Sequence, residues 1–243
     1  MGGRLRLESV ATLVWNTQPG TGGHVQTEWA VTMGRNMQPS RWFELSYIPK
    51  CFHFIWVGDE SRRPDACFET WRSLNPEFSL KVWGNREYDE FPWRTKRHMD
   101  AMWKTGQLFG VADLMRWEIL FNEGGFALDA DSIALSPLPD WLFDCTAFAC
   151  WENELISPGL IANGYFASRP GDRLIGQLLE KFLSSKYLAS KFVWYKLKHK
   201  PVAAWKTVGP RVLTETVREM GYSDLTVLPS HFFVSANKPT HLP

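Results

Sequence analysis

No apolar run in the 243 residues approaches the ~20 that a membrane-spanning helix needs, and the N-terminal stretch has no long apolar core of the kind a leader peptide carries. A soluble, cytoplasmic protein is therefore expected. Charge of one sign is also missing. A net charge of +1 leaves no field strong enough to draw the chain to nucleic acid or an anionic membrane. The one basic cluster, Lys196, Lys198, His199 and Lys200, reads as a solvated face, with an acidic partner as the lesser alternative. Cysteine is scarce. Cys51, Cys67, Cys145 and Cys150 form no CxxC pair and no zinc-like spacing, so they read as small buried hydrophobes in a reducing compartment. There is no Gly/Ser- or Pro-rich linker, internal repeat or low-complexity tract. One large α/β domain over residues 47–243 is expected, with residues 1–46 as an extension or an extra hairpin. Tryptophan, by contrast, is plentiful at 13 residues. Sugar-binding surfaces use such rings and so do cores; the core is the expectation for most of them.

The order of elements suggests a largely parallel α/β sheet. Residues 48–58 form a near-continuous apolar run closed by Gly58-Asp59, as a buried parallel strand would. Trp56 sits at its end, where it could stack on a nucleotide base or simply fill the core. His53, in mid-strand, reads as a satisfied buried histidine. A helix is expected over Ala66–Leu74, a strand over Phe78–Trp83 and a second helix over Trp93–Trp103. Later come strands at Ala147–Trp151, Ile161–Ser168 and Leu225–Leu228, a helix capped by Asp172, and a helix from Arg211 to Met220.

The stretch from Gly110 to Pro137 carries the chemistry. Val111, Met115 and Ile119 recur at helical spacing, giving one apolar face, and Asp113 and Arg116 lie three apart on roughly the opposite one. Gly124-Gly125 ends the helix, Phe126 to Leu128 reads as a short buried strand, and Asp129-Ala130-Asp131 stands where that strand emerges. Ligands of α/β sheets bind outside the carboxyl ends of strands. Two carboxylates there suit a hard divalent cation and the phosphate that comes with it.

The segments His53–Asp59, Ala112–Arg116, Gly124–Ile133, Asn163–Ser168 and Thr207–Glu215, in that order and at those spacings, resemble glycosyltransferase family 32. That family includes capsular-polysaccharide and mannosyl-type transferases and resembles the glucosylating domains of clostridial toxins. The resemblance covers roughly residues 48 to 230. It implies a GT-A-type fold, a nucleotide-diphosphate sugar donor carrying UDP or GDP, a glycan-type acceptor as in polysaccharide biosynthesis, and transfer with retention at the anomeric carbon. It also implies a divalent metal, Mn²⁺ or Mg²⁺, held by Asp129 and Asp131. Asp113 and Arg116 would contact the donor sugar and, with Asp131, carry catalysis. Trp56 would stack on the base, while Phe54, Ala130 and Asn163 would line the donor pocket. Two features depart from the family. Ala127 stands where members commonly carry Tyr, and the segment ending Asn237–Pro243 lacks the usual His- and Trp-containing closure. His231 and His241 could supply a ligand there, though an incidental placement is the simpler reading.

Two other readings remain. A haloacid-dehalogenase-type phosphatase also places DxD after an apolar strand, the first Asp being the nucleophile. It needs downstream Lys and acidic elements, which Gly171-Asp172 does not continue into. A transferase-like protein that binds sugar or nucleotide with weak or no turnover is the other.

Overall fold

The structure is a computed structural model that describes residues 47–184 and 204–234. The expectations for residues 1–46, the basic cluster and the tail with His241 lie outside the described residues. A seven-stranded sheet runs in the order β2-β1-β3-β6-β4-β5, with β7 beside β4. β1 (Cys51–Ile55) pairs in parallel with β2 (Ser79–Trp83) and β3 (Gly125–Leu128). β6 (Tyr165–Ser168) runs antiparallel to both β3 and β4 (Ala147–Asn153), and β5 (Ser157–Ile161) antiparallel to β4. β7 (Leu225–Leu228) is parallel to β4. The α/β class and GT-A-type architecture are those expected. The sheet, however, is mixed, because the short turns after β4 bring the chain straight back, and a hairpin return is antiparallel.

All five residues of β1 are buried, as a strand covered on both faces requires. On one face the sheet packs against α3 (Lys96–Lys104), α4 (Leu108–Glu123), α5 (Arg173–Leu183) and α7 (Pro210–Met220), through Met99, Met115, Trp117, Leu178 and Leu213. On the other it meets α1 (Asp65–Leu74) and the turn Asp140–Asp144, with Phe68, Trp71 and Phe143. Two further helices complete the set of described helices, α2 (Asn85–Glu90) and α6 (Ala204–Thr207). The four cysteines carry no disulfide; Cys51 and Cys150 are buried. Among the described residues no helix is long and apolar enough to cross a membrane.

The helix α4 departs from its expected two-faced character. Val111, Leu114, Met115, Trp117, Ile119 and Leu120 are all at most 1% exposed, and Arg116 and Glu118 are buried with them. The sheet covers one side and α3, α5 and α6 the other. Its charges are consequently enclosed and must be satisfied internally. Glu118 accepts hydrogen bonds from the Arg94 and Thr95 amides at 2.8 and 2.7 Å and from the Thr95 hydroxyl at 2.6 Å, which anchors the start of α3.

His53 is the satisfied buried histidine that was expected. Its Nδ1 accepts from Trp83 Nε1 at 3.1 Å, so Nε2 carries the proton and donates to the Gly124 carbonyl at 2.9 Å. Gly125, at φ +93°, lies against this ring: a β-carbon there would sit 2.8 Å from His53 Nε2 and 2.7 Å from the Cys51 carbonyl. Burial lowers the imidazole from 6.5 to about 4 against the pull of Glu123. A histidine that is neutral when folded and charged when unfolded gives stability that is full above pH 6.5 and lost as pH falls toward 4. His53→Gln can keep both hydrogen bonds without titrating. The stability difference between parent and variant should therefore shift in the variant's favour across that window, as followed by urea unfolding at several pH values.

Candidate active site

Asp129 and Asp131 stand at the carboxyl end of β3. The Asp129 amide donates to the Gly164 carbonyl at 2.9 Å, and the Ser132 amide returns to the Asp129 carbonyl at 3.0 Å, closing a four-residue turn. Helix α1 braces that turn. Trp71 Nε1 donates to the Ser132 carbonyl at 3.2 Å, and Thr70 Oγ1 accepts from the Ala134 amide at 2.9 Å. These braces join residues more than sixty positions apart and could not be read from local pattern.

Behind the turn lies a chain of polar groups that runs from the half-exposed Asp129 to the buried Arg116 and Asn163. Arg116 Nη2 donates to Asp129 Oδ1 at 2.6 Å and Arg116 Nη1 to Asp113 Oδ1 at 3.0 Å. Asn163 Nδ2 donates to the same Asp113 oxygen at 2.6 Å. The expected strand over Ile161–Ser168 is split by this contact into β5 and β6, since Asn163 and Gly164 turn toward Asp113 and Asp129. One guanidinium thus serves two carboxylates, one of them deeply enclosed. Burial pushes the Asp113 carboxyl up from 3.8 to about 7, Arg116 opposes the rise and Asp129 adds to it. The Arg116 Nε is buried and has no hydrogen-bond partner among the described residues. Asp131 differs from all of these: it is exposed and makes no ion pair among the described residues.

A cleft of about 570 Å³ opens beside the aspartates. Trp56 and Val57, just past β1, form one wall, and Leu108, Phe109 and Ala112 of α4 another, with Asp129, Ala130 and Asp131 at the end. The volume is within the ~300–1,000 Å³ of small-molecule and cofactor sites. The Trp56 ring is pinned by Nε1 donating to the Asp59 carbonyl at 2.9 Å. Phe109 adds a second ring, 60% exposed. Among the expected donor residues, Trp56, Asp129, Ala130 and Asp131 line this cleft, while Asp113, Arg116 and Asn163 form the layer that supports Asp129. Phe54 does not line it. Its side chain is fully buried and stacks on Phe68 at 4.4 Å, because it points to the opposite face of β1 from the helix layer. Ala127 is likewise fully buried in the sheet, opposite Phe166 of β6.

Asp59 and Arg62, on the loop leaving β1, also line the cleft and were not singled out from sequence. The rule that ligands meet strand carboxyl ends would have pointed to that loop. Arg62 is exposed and makes no side-chain hydrogen bond or ion pair among the described residues. Among the described residues it is the cation that lines the cleft.

No group of three or more His, Cys, Asp and Glu among the described residues could hold a metal ion by itself. Asp131, with both oxygens unengaged among the described residues, and the second oxygen of Asp129 nonetheless offer hard oxygen donors. These suit Mg²⁺ or Mn²⁺ provided a ligand's own oxygens complete the shell. His231 is exposed in the turn Ser230–Phe232 and forms no such cluster. Gly164 makes the carboxylate position possible: a β-carbon on it would lie within bonding-radius distance of Asp129 Oδ2. Gly164→Ala should displace the Asp129 carboxylate and lower the melting temperature, since Arg116 loses its partner at 2.6 Å. Cation-dependent ligand binding should weaken by roughly tenfold or more, read by calorimetric titration.

No family model matches the chain. It is 23% identical over 211 residues to "Subversion of eukaryotic traffic protein A" of Legionella pneumophila subsp. pneumophila (strain Philadelphia 1), covering 76% of this chain and 32% of that protein. The chain thus spans about a third of the length of the curated relative it matches. Among solved structures it is similar to the PaToxG glycosyltransferase, with a TM-score of 0.54 and 15% identity over 72% of this chain and 70% of that one. It is similar also to the UDP-bound glycosyltransferase domain of the YGT toxin, at 0.54 and 8% over 75% and 80%. At these identities the likeness is one of fold, and the fold is that of glycosyltransferase domains.

Proposed function

We propose that this chain is a glycosyltransferase of the family 32 type, moving a sugar with retention from a UDP- or GDP-sugar to a glycan-type acceptor. The observation that carries the proposal is the run Asn163–Asp113–Arg116–Asp129, enclosed behind an exposed Asp131 at the mouth of a nucleotide-sized cleft, in a fold shared with glycosyltransferase domains. Trp56 stacks on the base, and Arg62 meets the phosphates as a free cation. Asp129 and Asp131 would hold Mn²⁺ or Mg²⁺ together with the donor diphosphate, and a cation there would supply charge neutralisation at the leaving phosphate. Arg116 fixes the Asp129 carboxylate in place and orients Asp113, which accepts hydroxyls of the donor sugar. Asn163 holds Asp113 from the other side. The phosphatase alternative fits less well: a nucleophilic first aspartate must be free to attack, and Asp129 is instead tied to Arg116 at 2.6 Å.

Asp113 accepts more strongly from a sugar hydroxyl, and through both oxygens, when ionised. Because burial sets its pKa at about 7, the ratio of UDP-sugar to UDP affinity should rise from about pH 6 to about pH 8 in the parent and stay flat in Asp113→Asn. The same raised pKa acts oppositely on the free protein. Stability that Asp113 confers as a neutral acid is full below 3.8 and lost as pH rises through about 7. The assignment as a whole is tested by nucleotide release from a panel of UDP- and GDP-sugars with Mn²⁺. Turnover of at least one donor is expected, and none with any donor would overturn it.

A further inference from the structure

The topology places four strand ends on one edge of the sheet. β1 and β3 end there at Trp56 and Asp129, β6 begins there at Tyr165 because it runs antiparallel to β3, and β4 ends there near Glu152. The order across that edge is fixed by strand order: Trp56, then the aspartates, then Tyr165, then Glu152. The cleft occupies only the first half, between Trp56 and Asp131. Tyr165 and Glu152 lie on the far side of the aspartates from the base-stacking ring.

Both residues carry polar groups without a hydrogen-bond partner among the described residues. Glu152 is half-buried and its carboxylate makes no hydrogen bond or ion pair among the described residues. Tyr165 is half-buried, its hydroxyl likewise without a partner there, while its ring stacks on Phe233 at 5.3 Å. Tyr165 pairs with Leu128, the residue before Asp129; burial pushes both groups up, and Asp129 adds to each shift. By contrast, the neighbouring Glu154 is fully engaged. Its two oxygens take the Ser230 amide at 2.8 Å and the Ser230 hydroxyl at 2.6 Å, which ties the Ser230–Phe232 turn to the end of β4. The half-burial of an unpartnered carboxylate costs stability, and a ligand hydroxyl would offset that cost.

We propose that Glu152 and Tyr165 form the acceptor subsite, in which the Glu152 carboxylate accepts a hydrogen bond from the attacking hydroxyl and Tyr165 holds its neighbour. This rests on the glycosyltransferase reading and deepens it. The subsite takes an uncharged hydroxyl-bearing acceptor, since an anionic one would meet the like charge of the Glu152 carboxylate. Water occupies the same place when no acceptor is present, so donor hydrolysis reports on it.

The test measures Mn²⁺-dependent hydrolysis of the best UDP- or GDP-sugar, the affinity for the corresponding free nucleotide, and the melting temperature, in parent, Glu152→Gln and Tyr165→Phe. Glu152→Gln is isosteric and breaks no hydrogen bond or ion pair among the described residues. Its hydrolytic kcat should fall roughly 10- to 100-fold, with nucleotide Kd within about twofold of parent and melting temperature unchanged or raised. Tyr165→Phe should show the same split with a smaller fall. A parent-like kcat for Glu152→Gln in an active parent overturns the acceptor subsite alone. Equal losses of kcat and nucleotide affinity overturn it too, since they place Glu152 on the donor side. A parent without turnover overturns the glycosyltransferase reading and the subsite with it.

Discussion

Asp131→Ala should lower nucleotide-sugar turnover by about 10²–10³-fold, the range found when a preorganised electrostatic stabiliser is removed. It should do so without cost to the fold. Asp131 is exposed and makes no ion pair among the described residues, so its removal leaves no partner stranded. Asp129→Ala should be as damaging to turnover but also cost stability, because Asp129 holds Arg116 at 2.6 Å. The contrast separates the two aspartates: Asp129 is engaged with Arg116, and Asp131 makes no ion pair among the described residues. Kinetics and thermal melts on both variants, at saturating Mn²⁺, check it. A large drop in the melting temperature of Asp131→Ala would mean that its loss of activity reports on folding.

Arg116→Met should be the most destabilising single change at the site, by about 3–5 kcal/mol, as when one partner of a buried ion pair is removed. The guanidinium is 6% exposed and its Asp113 partner 13%, so solvent cannot take over the role. Asp113 already titrates near pH 7 with Arg116 present; without it the carboxyl takes up a proton on folding. The double variant Arg116→Met/Asp113→Asn removes that burden and should recover a substantial part of the loss. A coupling of about 1–3 kcal/mol in a double-mutant cycle by urea unfolding is expected. Additive losses would show that the two groups do not depend on each other.

The sequence carried most of the architecture, for identifiable reasons. Buried parallel strands such as Cys51–Ile55 leave an unbroken apolar run, and Gly124-Gly125 marks a turn that only glycine tolerates beside His53. The aspartates at the end of β3 were legible because strand ends and ligand sites coincide. The burial of α4 was not. An i,i+3 pair of Asp and Arg looks alike on a surface or in a core, and only the packing of α3, α5 and α6 decides which. Nor could Phe54 be sorted from Trp56: they lie two apart, so alternation alone puts both on one face, yet the strand ends at Ile55 and only Trp56 turns into the cleft. Asn163 meeting Asp113, Trp71 bracing Ser132, and Glu152 standing past Asp129 are products of sheet order. Nothing in the local sequence announces them.

The central claim is that a nucleotide diphosphate is held at the aspartate turn through a divalent cation. Thermal unfolding of parent and Asp131→Ala with UDP or GDP, each with and without Mn²⁺, tests it most directly. At a nucleotide concentration of about 100 times Kd, the parent should gain about 2.7 kcal/mol of stability with Mn²⁺, much less without it, and Asp131→Ala should gain little in either case. A parent that neither nucleotide stabilises, or a gain indifferent to both Mn²⁺ and Asp131, would contradict the account.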